Sequence, residues 1–529
     1  MDLQFNIMKT YKFLLLSLSI IAMSSCDDEL ELTNPNSQTA DEFWLNADQA
    51  VEGTNAMYNS LLIDGYYMRM TPALTDGRGD DFTGDSPWLD LIQVANFTIL
   101  PTSGPVQWTW AAYYQQVFRA NQVLTRVPEI EMDEALRNRC LGQAYFLRGL
   151  AYFNLVTNFQ KVPLILTVAQ SEEEYYPPTA SEEEIWNQII ADFTAAQNML
   201  PVNFETVSGE DQGQLGRATK GAATGFLGKA YLYTEQWSNA STEFQKLISG
   251  EQANTYGLVA NYKDNFSPFT ENNSESLFEV QFATPDQVGG TVKNYGGEPS
   301  SAWMQVSSIG HTYAMDGFGY SDFLPTRWIY NEYKVEKTND GGVDPRLLSA
   351  LASYEPEANS TTVYGNVPWP HAEDAIYPRK YTHDGFGFTT ESQGSVELSD
   401  INYRLLRYAD ILLMNAEALN EMGQTTLAYD FIQPVRDRAN LPDLRSAKPN
   451  MSQSQMRDQI GHERALEFSI ESIRIHDIVR WGWLYDSAKL AELKAHDNDF
   501  SSWTPGKEYL PIPQTELDVN PNLEPNSAN

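Results

Sequence analysis

Two cysteines in 529 residues cannot build a disulfide framework or a cysteine-based metal site. Six histidines with no HExxH pair leave a histidine-built zinc site without its usual ligands. Basic residues are scarce as well: 35 Lys and Arg face 71 Asp and Glu, a net charge of −36. A chain this acidic repels phosphate backbones and anionic lipid, so nucleic acid is not an expected partner. Long hydrophobic runs are missing, and a spanning helix needs about 20 apolar residues. The GxSxG, Walker A and GxGxxG patterns are absent, so no familiar enzyme chemistry is marked.

What is present starts near the amino end. The short basic stretch MKTYK (Met8 to Lys12) leads into a mostly apolar run, Phe13 to Met23, followed by SSC. This charged, apolar, small-residue order is that of a secretory signal. The ending MSSC resembles a bacterial lipobox and not an A-x-A cleavage site, which implies cleavage before Cys26 and acylation of its sulfur and nitrogen. Two or more acyl chains anchor stably where one does not. Residues 1–25 are therefore read as a lipoprotein signal peptide and 26–36 as a lipidated tether with NPN turn signals. Asp27, Asp28 and Glu29 look like the export tags of Bacteroidetes lipoproteins, which places the protein on the outer membrane, lipid-anchored and facing the exterior.

Beyond the tether the chain reads as mostly α. Trp110, Tyr114, Val117, Asn121 and Leu124 recur at helical spacing, with Asn121 the one amide needing an internal partner. Helices are predicted over Glu134 to Phe159 and Glu182 to Leu200, the second closed by Pro201. Cys140 falls in register with Ala144, Leu147 and Ala151 and reads as a small buried hydrophobe. ATKGAATGFLGKAYLYTEQ and WSNASTEFQKLISG form a helix, a tight turn near Gln236 and a second helix. YRLLRYADILLMNAEALNEMG and TLAYDFIQPVRDRANLP give another pair, and one long helix is expected from Ser454 to Leu484. Helix pairs with short turns and small inward residues stack as tetratricopeptide-like hairpins. Residues 285–400 have no such period and are rich in Gly, Tyr, Trp and Pro. The expected organisation is thus a helical scaffold over 37–284, a loop-rich ligand-binding subdomain over 285–400, and a scaffold over 401–529 that closes on the first.

Seven segments in order carry a resemblance to a family. They include WAAYYQQVFRANQVLTRV, GQAYFLRGLAYFNLVTNFQKVPLIL, GRATKGAATGFLGKAYLY, DPRL, ERALEFSIESIRIHDIVRWG and YLPIPQTELDVNPNLEPNSAN. The chain resembles the SusD/RagB family of Bacteroidetes outer-membrane lipoproteins from end to end. It departs in the late helix, where Ser472 stands in place of the family's glycine and Ile475 and His476 in place of its aromatics. The resemblance implies an α-helical scaffold that binds oligosaccharide outside the cell and delivers it to a TonB-dependent, SusC-like outer-membrane transporter. No catalysis and no cofactor are implied. A peptide binder of the same import architecture is the alternative, favoured by the negative charge.

Candidate site residues follow from two sources. DGRGDDFTGDSPW (Asp76 to Trp88) borders the glycan site in the resembled family, which nominates Asp81 and Trp88. Its aspartates also suit a structural calcium, although the EF-hand spacing is missing. Sugar rings lie flat on exposed aromatic faces, so the loop-rich segment nominates Trp303, Tyr313, Tyr320 and Trp328, among other aromatics that include Trp369. Glu463, Glu467 and Glu471 could be read as glycosidase acids, but the interleaved arginines point to structural ties, formed locally at i,i+3 and i,i+4.

Overall fold

A computed structural model describes residues 43–283, 306–386 and 399–529. The helices that matter here are α1 (Ala47–Ser60), α2 (Met70–Asp76), α3 (Gly104–Arg126), α4 (Glu134–Phe159), α5 (Glu182–Met199), α6 (Lys220–Tyr233), α7 (Trp237–Ile248), α8 (Arg327–Val335), α9 (Tyr408–Glu421), α10 (Thr425–Arg438), α11 (Gln453–Phe468), α12 (Arg474–Arg480) and α13 (Ser487–His496). Their starts are set by local chemistry. Ser181 and Glu184 form a capping box at α5, Ser452 and Gln455 another at α11, and Asp133 caps α4.

Helices α3 to α7 pack each against the next, and α9 then packs on α7 although some 160 residues separate them in the chain. The helical stack is therefore continuous in space and interrupted in sequence. Strands β2 (Ser276–Val280) and β8 (Tyr403–Arg407) pair antiparallel at the neck of the interruption. Helix α6 lies tight on this ribbon because Gly225 has no side chain; a Cβ there would stand 2.6 Å from Leu406 and 2.9 Å from Leu277. Phe146 of α4 is the hub of the core, meeting Phe193 of α5, Phe226 of α6 and Phe278 of β2 at centroid distances of 5.8, 5.5 and 4.8 Å. Edge-to-face contacts of this kind add to the burial of each ring. The fold is a mostly α, tetratricopeptide-like stack, as the periodicities predict.

One expectation is corrected. The long helix from Ser454 to Leu484 is two helices, α11 and α12, broken at Ser469–Ile473. Ile470 and Ser472 both take positive φ, +64° and +55°. The carbonyls that a continuous helix would use are taken from outside: Leu466 by the Tyr333 hydroxyl at 2.8 Å, and Glu467 and Ser469 by the Lys380 ammonium at 3.1 and 2.7 Å. The Ser472 amide donates to Asp76 at 2.6 Å, and its hydroxyl meets that of Tyr403 at 2.6 Å. A left-handed serine is thus held where glycine would sit at less cost.

The acids of this region tie helices together, over longer range than the local pairing predicted from spacing. Arg464 of α11 binds Asp477 of α12 at 2.7 Å and Asp410 of α9 at 2.6 Å. Arg407 binds Glu471 at 2.7 Å and Glu467 at 2.9 Å, and Arg346 binds Glu463 at 2.8 Å. All these side chains are buried. Arg474, three residues after Glu471, binds not that acid but Asp80 near α2, at 2.9 Å. Only the Asp477–Arg480 pair, at 2.7 Å, follows the predicted i,i+3 spacing.

Candidate functional site

Four very short strands organise the segments outside the helical stack. β1 (Phe82–Gly84) pairs with β3 (Phe323–Pro325), and β4 (Leu351–Ser353) pairs with β7 (Ile376–Pro378). β3 packs beside β7, so the two ribbons form one platform. The loop leaving β1 is stitched to the loop entering β3. The Asp85 amide donates to the Asp322 carbonyl at 2.9 Å, and the Ser86 hydroxyl donates to the Asp322 carboxylate at 2.5 Å.

Alternation along β7 buries Ile376 and Pro378 and turns Tyr377 outward, opposite the small Ala352. Beneath it lies a separate apolar cluster of Ala314, Met315, Ala352, Val363 and Tyr364, on which Phe318, Trp369 and Tyr377 pack half-buried. Phe318 stacks on Tyr364 at 4.2 Å, with the rings 5° from parallel. Above this floor, Tyr377 meets His371 at 4.6 Å and Trp369 at 6.3 Å, and Trp369 meets Tyr354 at 6.4 Å. The Trp369 indole N–H donates to the Ala372 carbonyl at 3.0 Å, which fixes the ring. Together these rings make a ledge of half-exposed aromatics on a rigid base.

Carboxylates border the ledge without cations to neutralise them. Burial, then the neighbouring Asp316, raises the Asp85 carboxyl above its usual range. Burial, then Asp316 and Asp85, raises the Tyr377 phenol. No ion pair engages Asp85 or Asp316 among the described residues, so their oxygens are free to accept from hydroxyl donors. Tyr377 also lines an adjoining cleft of about 360 Å³ with Thr83, Arg327, Asp374, Asp497 and Asn498. Asp497 is pushed up to about 7, chiefly by burial and then by Asp499.

The nominated residues divide. Tyr320 is 42% exposed, four residues after Asp316, with its ring edge-on to His311 at 4.1 Å. Trp88 is half-buried; its indole N–H donates to Asp90 at 2.7 Å, and the Arg69 guanidinium covers the ring at 5.5 Å. Trp328 stacks on His496 at 4.1 Å under the Arg474 guanidinium, which engages the ring internally. Two nominations are corrected. Tyr313 is fully buried, and its hydroxyl donates to Asp76 at 2.7 Å, so it offers no platform. Asp81 is also buried; burial, then Asp80 and Asp76, raises its carboxyl far above the usual range, and it cannot reach a ligand. Trp303, like Cys26, lies outside the described residues. Tyr354, His371 and Tyr377 were not nominated. For His371 and Tyr377 the signal in sequence is slight: a Pro-flanked run, VPWPHAEDAIYP, with no period.

Two aspartates of the Asp-rich stretch, Asp76 and Asp80, are committed to protein partners. Asp76 accepts from Tyr313 and Ser472, and Asp80 is held at about 2 because Arg474 and His496 outweigh the cost of burial. Among the described residues, no three His, Cys, Asp or Glu side chains gather in a way that could hold a metal ion.

A helix-hairpin scaffold carrying a ligand face built from inserted loops defines a class of binding proteins. Comparison with known proteins specifies it. A profile described as the SusD family matches residues 274–528, and one described as starch-binding, associating with outer membrane, matches residues 30–232. SusD-like protein P38 of Formosa agariphila is 25% identical, with 97% of each chain covered. A SusD superfamily protein from Bacteroides vulgatus superposes with a TM-score of 0.77 at 26% identity, covering 92% of this chain and 100% of that one. A laminarin-binding SusD-like protein superposes at 0.72, also 26% identical, covering 91% and 99%. The chain belongs to the SusD/RagB family.

Proposed function

We propose that this protein is a surface glycan-binding lipoprotein of the outer membrane, anchored through Cys26, that captures oligosaccharide on the Trp369–His371–Tyr377 ledge and passes it to a TonB-dependent, SusC-like transporter. The observation that carries the reading is the pairing of half-exposed, immobilised rings with unneutralised Asp85 and Asp316. Ring faces suit the C–H patches of a pyranose, and carboxylate oxygens accept from its hydroxyls. Tyr320, exposed four residues after Asp316, offers a further aromatic face. The laminarin-binding relative and the starch-binding family description support the ligand class. Binding without chemistry belongs to the reading: Glu463, Glu467 and Glu471, the acids most suggestive of a glycosidase, are all engaged by buried cations.

The bare acids also suit a basic peptide, so the test carries both ligands. The full chain is run in native gels containing laminarin, soluble starch or mucin glycans, and titrated in parallel with a mixture of Lys- and Arg-rich peptides. Retardation by at least one glycan, weakened roughly tenfold or more in Trp369→Ala, is the expected result. Peptide binding with no glycan retarding the chain would overturn it.

A further inference from the structure

A second pocket lies on the helical stack, sharing no lining residue with the ledge or its cleft. It has a volume of about 350 Å³ and forms where the α6–α7 turn, the end of α9, the start of α11 and the α12–α13 turn meet. That size falls in the range of sites for small ligands, about 300–1,000 Å³. Three tryptophans stand on its wall: Trp237, Trp481 and Trp483.

Two of them are locked. The Trp481 indole N–H donates to Glu417 at 2.8 Å, and the Arg480 guanidinium lies over its ring at 4.8 Å. Trp483 carries the Lys489 ammonium at 4.9 Å and the Arg474 guanidinium at 5.1 Å. The two rings sit 5.0 Å apart, so this wall is preorganised. Trp237 differs. It is half-buried, and among the described residues its ring has no hydrogen bond, cation or ring partner. Two residues earlier, Glu235 takes φ +56°, a conformation costly for any residue with a Cβ, and its exposed carboxylate is unpaired. The Ser454 hydroxyl also lacks a partner, and Arg457 binds Glu421 through two nitrogens at 2.7 and 2.6 Å. The pocket thus offers one open indole face beside hydrogen-bonding groups of both kinds.

Charge selects the ligand. Arg480 and Lys489 already cover the other two indoles and leave them no open face for a Lys or Arg side chain. Glu235, Asp458 and Asp486 repel an anion. A neutral, polyhydroxylated molecule satisfies both limits. We infer that this pocket is a second saccharide site, in which a neutral sugar ring stacks on Trp237 and hydrogen-bonds Glu235, Ser454 and Arg457. The inference rests on the glycan-binding function proposed above for its choice of probes.

The test compares the wild type, Trp237→Ala, Trp369→Ala and the double variant in gels containing laminarin or soluble starch. Trp237 is a half-buried first residue of α7, and thermal melts check that its loss leaves the fold intact. Glu235→Gln, which keeps the turn's shape, gives a second reading free of any packing change. We expect Trp237→Ala to weaken retardation roughly tenfold, Glu235→Gln about threefold, and the double variant to migrate as in a gel without glycan. Wild-type retardation by both Trp237→Ala and Glu235→Gln would overturn the second site while leaving the ledge standing. Retardation lost in Trp237→Ala but untouched in Trp369→Ala would overturn the ledge and keep the pocket. A wild-type chain that no glycan retards overturns both, and basic peptides competing at Trp237 overturn the sugar assignment.

Discussion

Glu467 in the helical stack and Asp85 at the ledge are both carboxylates placed close to other acids, yet their surroundings drive them in opposite directions. Burial works against the charge of Glu467, but Arg438, Arg407 and Arg346 hold it at about 2. Asp410 is likewise kept at about 2 by Lys229 and Arg464 against the cost of burial. At the ledge and its cleft no ion pair engages Asp85, Asp316 or Asp497 among the described residues. Asp85 is raised by burial and Asp316, and Asp497 reaches about 7. One region uses its acids to tie helices; the other leaves their oxygens for something not part of the chain. Unneutralised acids on an aromatic surface mark a binding face more clearly than the aromatics alone, since perturbed carboxyls concentrate at functional sites.

The largest effect should come from cutting a tie. Arg407→Ala removes from buried Glu467 one of its three arginines and from buried Glu471 the guanidinium that meets both its oxygens, and breaking such a pair costs about 3–5 kcal/mol. The expected outcome is a much lower urea midpoint or loss of soluble protein. A variant within about 1 kcal/mol of the wild type would erase the distinction between the two regions. Trp369→Ala should do the reverse. Removing a central stacking residue costs about 1–3 kcal/mol in binding, roughly a tenfold to hundredfold loss of glycan affinity. Its melting temperature should fall little, because the ring is only half-buried on a small satellite cluster.

Acid and neutral pH should separate the regions again. Glu467 and Asp410 have folded values near 2, below the roughly 4 of an unfolded chain. Their stabilisation is complete above about pH 4.5 and is lost as pH falls towards 2. Asp497 has the opposite sign. Its folded value of about 7 lies above the unfolded one, so its contribution is full below about pH 4 and is lost as pH rises through 7. Melting temperatures measured from pH 2 to 8 should show both limbs. Asp497→Asn should flatten the 4-to-7 limb and leave the acid limb unchanged; a variant that alters the acid limb instead would show that the cleft and the ties are one electrostatic unit.

The two regions also differ in how far the sequence reveals them. Helices several turns long repeat their burial pattern, so Asn121 could be picked out as an amide needing an internal partner. The structure supplies two: it donates to the Ile165 carbonyl at 3.0 Å and accepts from Arg148 at 2.9 Å. Cys140 is buried, as its register predicts. The break between α11 and α12 was hidden because Tyr333 and Lys380, more than eighty residues away, impose it. The ledge was harder still. Its strands are three residues long, too short to show a period of two, and it is assembled from segments near residues 85, 316, 352 and 377. Tyr313 and Tyr377 look alike in sequence; only the fold puts Asp76 against one hydroxyl and leaves the other facing outward.

The finest test of the comparison removes one acid at the ledge. Asp316→Asn takes away the negative charge that, after burial, raises Asp85, and it does so without touching the aromatic floor. Carboxyl titration followed by NMR should then show Asp85 returning towards the ordinary aspartate range, near 3.9. Stability should hardly change, since Asp85 is largely exposed and solvent screens the repulsion. Glycan affinity should fall by about threefold, the loss of one hydrogen-bond acceptor. If Asp85 titrates unchanged, Asp316 does not act on it, and the two acids of the ledge work independently. If affinity is unchanged while Asp85 moves, the acids shape each other's charge but do not touch the sugar, and stacking on Trp369 and Tyr377 alone would have to hold it.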